Sequence, residues 1–216
     1  MIHKHLPKFN EEGTAHFVTT KTHLNTPLFK HPALARIVLE ELAFYRKQNS
    51  FYVLGYVVMP DHFHGIIRWD CERHPDLTIS RTMQSFKGSI ARRIIDEILE
   101  PKNERPRGSI EYQLNAGKRE TLRRKLSVSH TRARDDPENR AHRRNWKYKI
   151  WQTGFYDFNI FSREKLNEKL KYIHYNPVKA GLCKEEEQYL FSSAWFYAGL
   201  KQPEGLEGVV CFVEEL

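Results

Sequence analysis

No apolar run in this 216-residue chain approaches the ~20 residues that cross a bilayer, which excludes an integral helical membrane protein. Cysteine is scarce. Cys71, Cys183 and Cys211 are odd in number and scattered, so they read as thiols in a reducing compartment and not as a disulfide framework. No C-x-x-C or H-x-x-x-H spacing supports a closed structural zinc site. No G-x-x-x-x-G-K-[ST] loop is present to cradle a nucleoside triphosphate. The opening residues Met1-Ile2-His3-Lys4-His5-Leu6-Pro7 lack the apolar stretch of a secretory signal, and a cytoplasmic location is the expectation.

What is present is a packable chain with a local excess of positive charge. Hydrophobic residues make up 40% and aromatics 12%, enough for a core without metal or disulfide support. The net charge is +8. Between Pro101 and Lys149 there are 15 Lys and Arg against 6 Asp and Glu, whereas the remainder holds 20 against 21. The whole excess therefore lies in one segment, densest at Lys118-Arg119, Arg123-Arg124-Lys125, Arg132 to Arg134 and Arg140 to Arg144. Such a segment suits salt-sensitive binding of a phosphate backbone, and Arg123, Arg124, Arg143 and Arg144 are candidates for it. The alternative is a solvated insertion that only aids solubility.

Around that segment the pattern is regular. Thr14 to Thr20 is β-rich, Thr26-Pro27 breaks it, and Pro32 opens a helix with Leu34, Ile37, Val38, Leu42 and Tyr45 at helical spacing. Phe51–Met59 and His62–Trp69 read as strands joined by Pro60-Asp61, a hairpin. A helix is expected over 78–99, with Ile79, Met83, Phe86, Ile90, Ile94 and Ile98 on one stripe and Lys87, Arg92 and Arg93 on the other face. Leu114–Leu126 can form a polar helix with little to bury. Trp151–Ile160 is β-prone, and Ser162 caps a helix expected to end at Asn176-Pro177. Tyr189–Trp195 reads as a docking segment and short helix.

Two constellations carry chemistry. Side chains two apart on a strand share a face, so His62 and His64 can converge on one divalent cation while Phe63 points the other way. The alternative is a solvent-facing or hydrogen-bonded pair. On the last long helix, Tyr172 and Asn176 lie about 40° apart around the axis, whereas Tyr175 lies about 100° from Asn176. A tyrosine one turn from an amide ligand can act as a nucleophile beside a cation. The alternative is an ordinary half-buried tyrosine followed by a helix terminator.

Met59-Pro60-Asp61-His62-Phe63-His64-Gly65-Ile66-Ile67 resembles the H-hydrophobe-H motif of the HUH single-tyrosine transposases. Tyr172-Ile173-His174-Tyr175-Asn176-Pro177-Val178-Lys179-Ala180-Gly181-Leu182 is similar to the nucleophile helix of their REP-associated branch. Ser85–Ser89, Trp151–Asp157 and Ser192–Ala194 fall in the matching order, so the likeness spans roughly residues 10–100 and 146–198. The departure is the basic stretch, longer than the family's usual connection.

The resemblance implies an α+β fold of the ferredoxin-like HUH type, a central antiparallel sheet with packed helices. It implies one domain over 1–216, with 101–149 as a basic insertion. It implies His62, His64 and Asn176 as ligands of Mg²⁺ or Mn²⁺ and Tyr172 as the nucleophile. The expected substrate is single-stranded DNA with a hairpin, as in REP palindromes, nicked through a 5′-phosphotyrosine. The enzyme would be a monomer or homodimer in a bacterial cytoplasm. Lys87, Arg92 and Arg93 would hold phosphates, and Trp146, Tyr148 and Trp151 could stack bases. The rival reading is a catalytically silent hairpin-binding relative. A zinc-dependent hydrolase of another anionic substrate stands third.

Overall fold

A computed structural model describes residues 14–70, 72–99, 116–127, 148–204 and 206. Strand β1 (Ala15–Lys21) is followed by helix α1 (Pro32–Asn49), strands β2 (Tyr52–Met59) and β3 (His62–Arg68), and helices α2 (Ile79–Leu99) and α3 (Ala116–Leu126). Strand β4 (Tyr156–Ile160), helix α4 (Arg163–Lys179) and the short helix α5 (Ala194–Tyr197) complete the order. The four strands form one antiparallel sheet in the order β2-β3-β1-β4, which puts β3 in its interior. This is the expected α+β arrangement. No helix among the described residues is long and apolar enough to cross a membrane.

Strand alternation sorts the sheet into two faces. Val18, Val53, Val58, Phe63 and Ile67 join the stripe residues of α1 and α2, among them Leu34, Val38, Met83, Phe86, Ile90 and Ile94, in the larger core. Phe17, Leu54, Val57 and Ile66 meet Leu166, Leu170 and Ile173 of α4 in the smaller one. The β2 edge is covered by the tail: Val58 N–H donates to Phe191 O at 2.8 Å, and Ser193 N–H to Tyr56 O at 3.0 Å. Unpaired strand polar groups are thereby satisfied.

A bulge in β2, where the register shifts between Val53 and Gly55, brings α4 close to the sheet. A Cβ on Gly55 would lie 2.5 Å from Leu170 Cδ2 and 3.0 Å from Ile173 Cδ1. Gly55→Val is therefore expected to lift α4 and to cost about 1–3 kcal/mol, the usual range for overpacking. Urea denaturation measures the loss. An unchanged midpoint would mean that α4 does not depend on this close approach.

Three local expectations need correction. Helix α4 does not end at Asn176 but runs on to Lys179, with Pro177 inside it. Pro177 has no N–H to donate, but the last turn closes without it: Ala180 N–H reaches Asn176 O at 2.9 Å and Leu182 N–H reaches Pro177 O at 2.9 Å. Gly181, at φ +68°, supplies the left-handed residue past the end. The β-prone stretch forms a strand only from Tyr156, because Trp151 makes a single bridge to Thr22 and Gly154 at φ +74° turns the chain. Helix α3 buries more than its composition suggests. Leu122 and Leu126, one turn apart, enter the main core, and the Arg123 guanidinium donates to Leu99 O at 2.9 Å, capping the end of α2.

Candidate active site

His62 and His64 project from β3 toward α4, while Phe63 is buried among the α1 and α2 side chains. The two imidazole centroids are 4.7 Å apart. Each ring has its Nδ1 engaged. His62 Nδ1 lies 2.6 Å from Asp61 Oδ1, and His64 Nδ1 lies 2.7 Å from Thr19 Oγ1. A carboxylate accepts only, so His62 Nδ1 carries the hydrogen, and in the neutral ring Nε2 keeps its lone pair. His64 is held at Nδ1 by Thr19, and its Nε2 is a buried nitrogen without a hydrogen-bond partner. Two imidazoles with Nδ1 anchored and Nε2 open are what a divalent metal requires of its ligands and their supporting shell. Thr19 is supplied by strand register, since it lies directly across from His64 on β1.

The surroundings keep His64 neutral. Burial, reinforced by His62, Lys21 and Lys169, pushes its pKa down to about 3. Lys21 sits opposite His62 in the β1–β3 register. Lys169 Nζ lies over the rings of Phe17, Phe158 and Tyr172 at 5.2, 5.0 and 5.9 Å from their centroids. Both cations flank the histidines, an environment suited to a phosphate.

Helix α4 brings Tyr172 to the same place. Its ring meets His64 at 5.5 Å and Phe17 at 6.0 Å, both edge-on, and the residue is 47% exposed. Tyr175 is exposed as well, but among the described residues its ring meets neither histidine. Asn176 is one turn beyond Tyr172, and its Nδ2 donates to Tyr172 O at 2.8 Å. That bond joins Asn176 to its own helix and not to either histidine. A cleft of about 730 Å³ runs past Tyr172, Tyr175 and Asn176, with Lys171, Lys179, Glu168 and Glu186 along it.

Helix α4 is held by a buried network below the site. His174 Nε2 lies 2.8 Å from Ser193 Oγ, which accepts from Tyr56 N–H at 2.9 Å. Burial lowers the His174 pKa to about 4. An unfolded histidine titrates near 6.5, so between pH 6.5 and 4 the unfolded chain binds the proton and the folded one does not. Stability is complete above pH 6.5 and declines toward pH 4, by at most about 3 kcal/mol for this residue. His64 adds a decline of the same sign. His174→Gln is expected to flatten the slope in part, as read by denaturation midpoints across that range; an identical slope would rule this out.

The structure disperses the residues expected to contact nucleic acid. Lys87 Nζ donates to Gln152 O at 3.1 Å and to Gly154 O, and its own carbonyl accepts from Trp151 Nε1 at 3.0 Å, so it pins the Trp-Gln-Thr-Gly turn to α2. Arg93 is paired with Glu40 and Glu41 of α1. Arg92 is exposed. Arg123 caps α2, and Arg124 is within 3.5 Å of Glu120. Trp151 belongs to the core and packs on Phe29. Gln152 bonds to Asn25 and to Lys21 O, beside the β1 end of the site. Arg143, Arg144, Trp146 and Cys71 lie outside the described residues. Sequence patterns did not point to Thr19, Asp61 or Lys169. Only Asp61, next to His62, was visible without knowing which strands and helices meet.

Residues 11–115, just under half of the chain, match the family model described as "Transposase IS200 like". That stretch of the chain is similar to the IS200-like transposases. It contains both histidines of the H-x-H pair and stops before Tyr172. No curated protein matches the chain. Among solved structures, a REP-associated tyrosine transposase bound to a REP hairpin superimposes with a TM-score of 0.55 at 16% identity, over 99% of this chain and 94% of that one. That likeness establishes the fold, which is the HUH type. A candidate transposase from Deinococcus radiodurans aligns over 79% of this chain and 95% of its own, at 15% identity and a TM-score of 0.39.

Transposases of this kind generally use a divalent metal, and the residues here fit one in part. The two imidazoles suit Mn²⁺ or Mg²⁺ when oxygen donors complete the shell. Among the described residues no group of three His, Cys, Asp or Glu is arranged to hold a metal ion.

Proposed function

We propose that the protein is a metal-dependent single-stranded DNA endonuclease and strand transferase that acts on hairpin-bearing DNA through a 5′-phosphotyrosine. The observation that carries this reading is the contact of Tyr172 with His64, whose buried Nε2 is open. His62, His64 and the Oδ1 of Asn176 would hold Mg²⁺ or Mn²⁺, and the bound ion would polarise the scissile phosphate and orient it in line. Lys21 and Lys169 add positive charge around that phosphate. Tyr172 Oη then bonds to phosphorus as the bond to the 3′-oxygen breaks. In net terms the phenol proton ends on that oxygen, leaving a free 3′-OH. One phosphodiester is exchanged for another, so the reverse step on a new 3′-OH needs no external energy source.

In this reading Tyr172 and the histidines act from the same chain, in a monomer or a homodimer. The domain proposed is 1–216, with 101–149 as an insertion, in a cytoplasmic protein. The natural partner in this reading is a REP-like hairpin, the ligand of the structural relative. The test mixes the protein with end-labelled single-stranded hairpin DNA in Mg²⁺, Mn²⁺ and EDTA and resolves it on a denaturing gel. A covalent band in the metal lanes only is expected. Hairpin binding with no band in any lane would instead identify a silent binding protein. Stoichiometric tight zinc with no DNA adduct would favour the hydrolase.

A further inference from the structure

We infer a second anion site, distinct from the Tyr172 centre, in the cleft between α3 and the loop joining β1 to α1. It would take backbone phosphates of the same nucleic acid. The cleft encloses about 340 Å³ and is lined by Thr26, Pro27, Lys30, His31, Gly117, Lys118, Thr121, Leu122 and Lys125. Three lysines and a histidine share it, and among the described residues no carboxylate lines it. Lys118, Thr121, Leu122 and Lys125 fall at helical spacing on a single face of α3, with Leu122 anchoring that face in the core. Two arginines of the same helix are used elsewhere, Arg123 on the end of α2 and Arg124 on Glu120. Lys30, Lys118 and Lys125 border the cleft. Burial holds the His31 imidazole toward the neutral form, and the neighbouring Lys118 and Lys30 act in the same direction.

The position relative to the Tyr172 centre supports one continuous ligand. The loop lining the cleft is hydrogen-bonded to the turn that leads into His62: Thr22 N–H donates to Asp61 O at 2.8 Å and Phe29 N–H to Pro60 O at 2.9 Å. Cleft and candidate centre thus lie at the same end of the sheet. The cleft lies on the α1–α2 side of that end and the histidines on the α4 side, so a strand passing over the end of the sheet would meet both. Hydroxyls of Thr26 and Thr121 and the lysine ammoniums are suited to phosphate oxygens. None of these groups reads base edges, so the cleft adds affinity and register without sequence preference. This inference rests on the nucleic-acid reading above but not on cleavage.

The experiment measures the anisotropy of a fluorescein-labelled DNA hairpin against the full chain over a series of KCl concentrations. Lys30→Gln, Lys118→Gln and Lys125→Gln are combined in one variant. Removing one lysine–phosphate pair should flatten the plot of log affinity against log salt by about 0.7–0.9, so the triple variant should lose about two units of slope. Its adduct rate at saturating DNA should stay within about threefold of wild type, because the lysines do not touch the reacting atoms. A second triple variant, Lys47→Gln, Lys184→Gln and Lys201→Gln, removes the same charge from exposed sites outside the cleft and should keep the wild-type slope. Equal slopes for wild type and the cleft variant would overturn the inference, as would equal losses in both variants. Should the triple variant melt early, Lys118→Gln alone, an exposed position, should lose about one unit of slope. A wild type that binds steeply but forms no adduct would sink the nuclease reading and leave the cleft standing. A wild type that forms the adduct while the cleft variant keeps its slope would sink the cleft alone.

Discussion

Tyr172→Phe is expected to abolish the covalent DNA adduct while the protein still binds the hairpin. The substitution removes one oxygen from a ring that is 47% exposed and keeps the edge-on contacts to His64 and Phe17. Stability should therefore change by less than about 0.5 kcal/mol, as for most surface changes. Hairpin affinity should stay within about threefold, because Tyr172 is asked to supply the nucleophile and not the binding energy. Loss of the nucleophile should reduce adduct formation by about 10⁴-fold or more. Tyr175→Phe is the companion measurement, since that ring meets neither histidine; it should leave the adduct in place. Persistence of the adduct in Tyr172→Phe would show that another residue attacks the phosphate.

The second large effect is expected from His62→Ala combined with His64→Ala. Metal-dependent cleavage should disappear, and calorimetric Mn²⁺ binding should weaken at least tenfold, because both imidazoles are removed, among them the open Nε2 of His64. The two positions differ in risk. His62 is partly exposed, and its side chain is hydrogen-bonded to Asp61 at the surface, so His62→Ala alone should fold normally. His64 is 4% exposed and packs on Phe17, so its truncation also opens space in the smaller core and should cost about 1–3 kcal/mol. Circular dichroism separates a folded, metal-free variant from an unfolded one. Undiminished cleavage by the folded double variant would remove these histidines from the metal site.

The clefts and cations show how far the sequence could be read. The elements were legible because their signals are local. The β-hairpin around Pro60-Asp61 and the stripe of α2 express side-chain periods that covalent geometry imposes on strand and helix. The pairing of His62 with His64 on one face, and of Tyr172 with Asn176 on one turn, follows from the same periods. Even the segment that reads as too polar to pack formed a helix where expected, although its two leucines gave no hint of reaching the core.

Side-chain partners did not follow. Lys87, Arg93 and Arg123 look alike in sequence to any lysine or arginine on a solvated helix face. In the fold they are taken up by the Gln152 turn, by Glu40 and Glu41, and by the end of α2. Conversely, Lys169 reads as an ordinary helix cation, yet it rests on three aromatic rings drawn from β1, β4 and α4. Thr19 becomes the partner of His64 only because β1 pairs with β3 in a register that no local pattern specifies.

The sequence by itself therefore determined the elements, the side chains that share a face, and the family signature in the first half of the chain. The tertiary structure alone decided which cations border a cleft and how close Tyr172 comes to His64. The physical reason is reach. Backbone periodicity is set within a few bonds, whereas a long charged side chain takes whichever partner a distant element brings within a hydrogen bond of it.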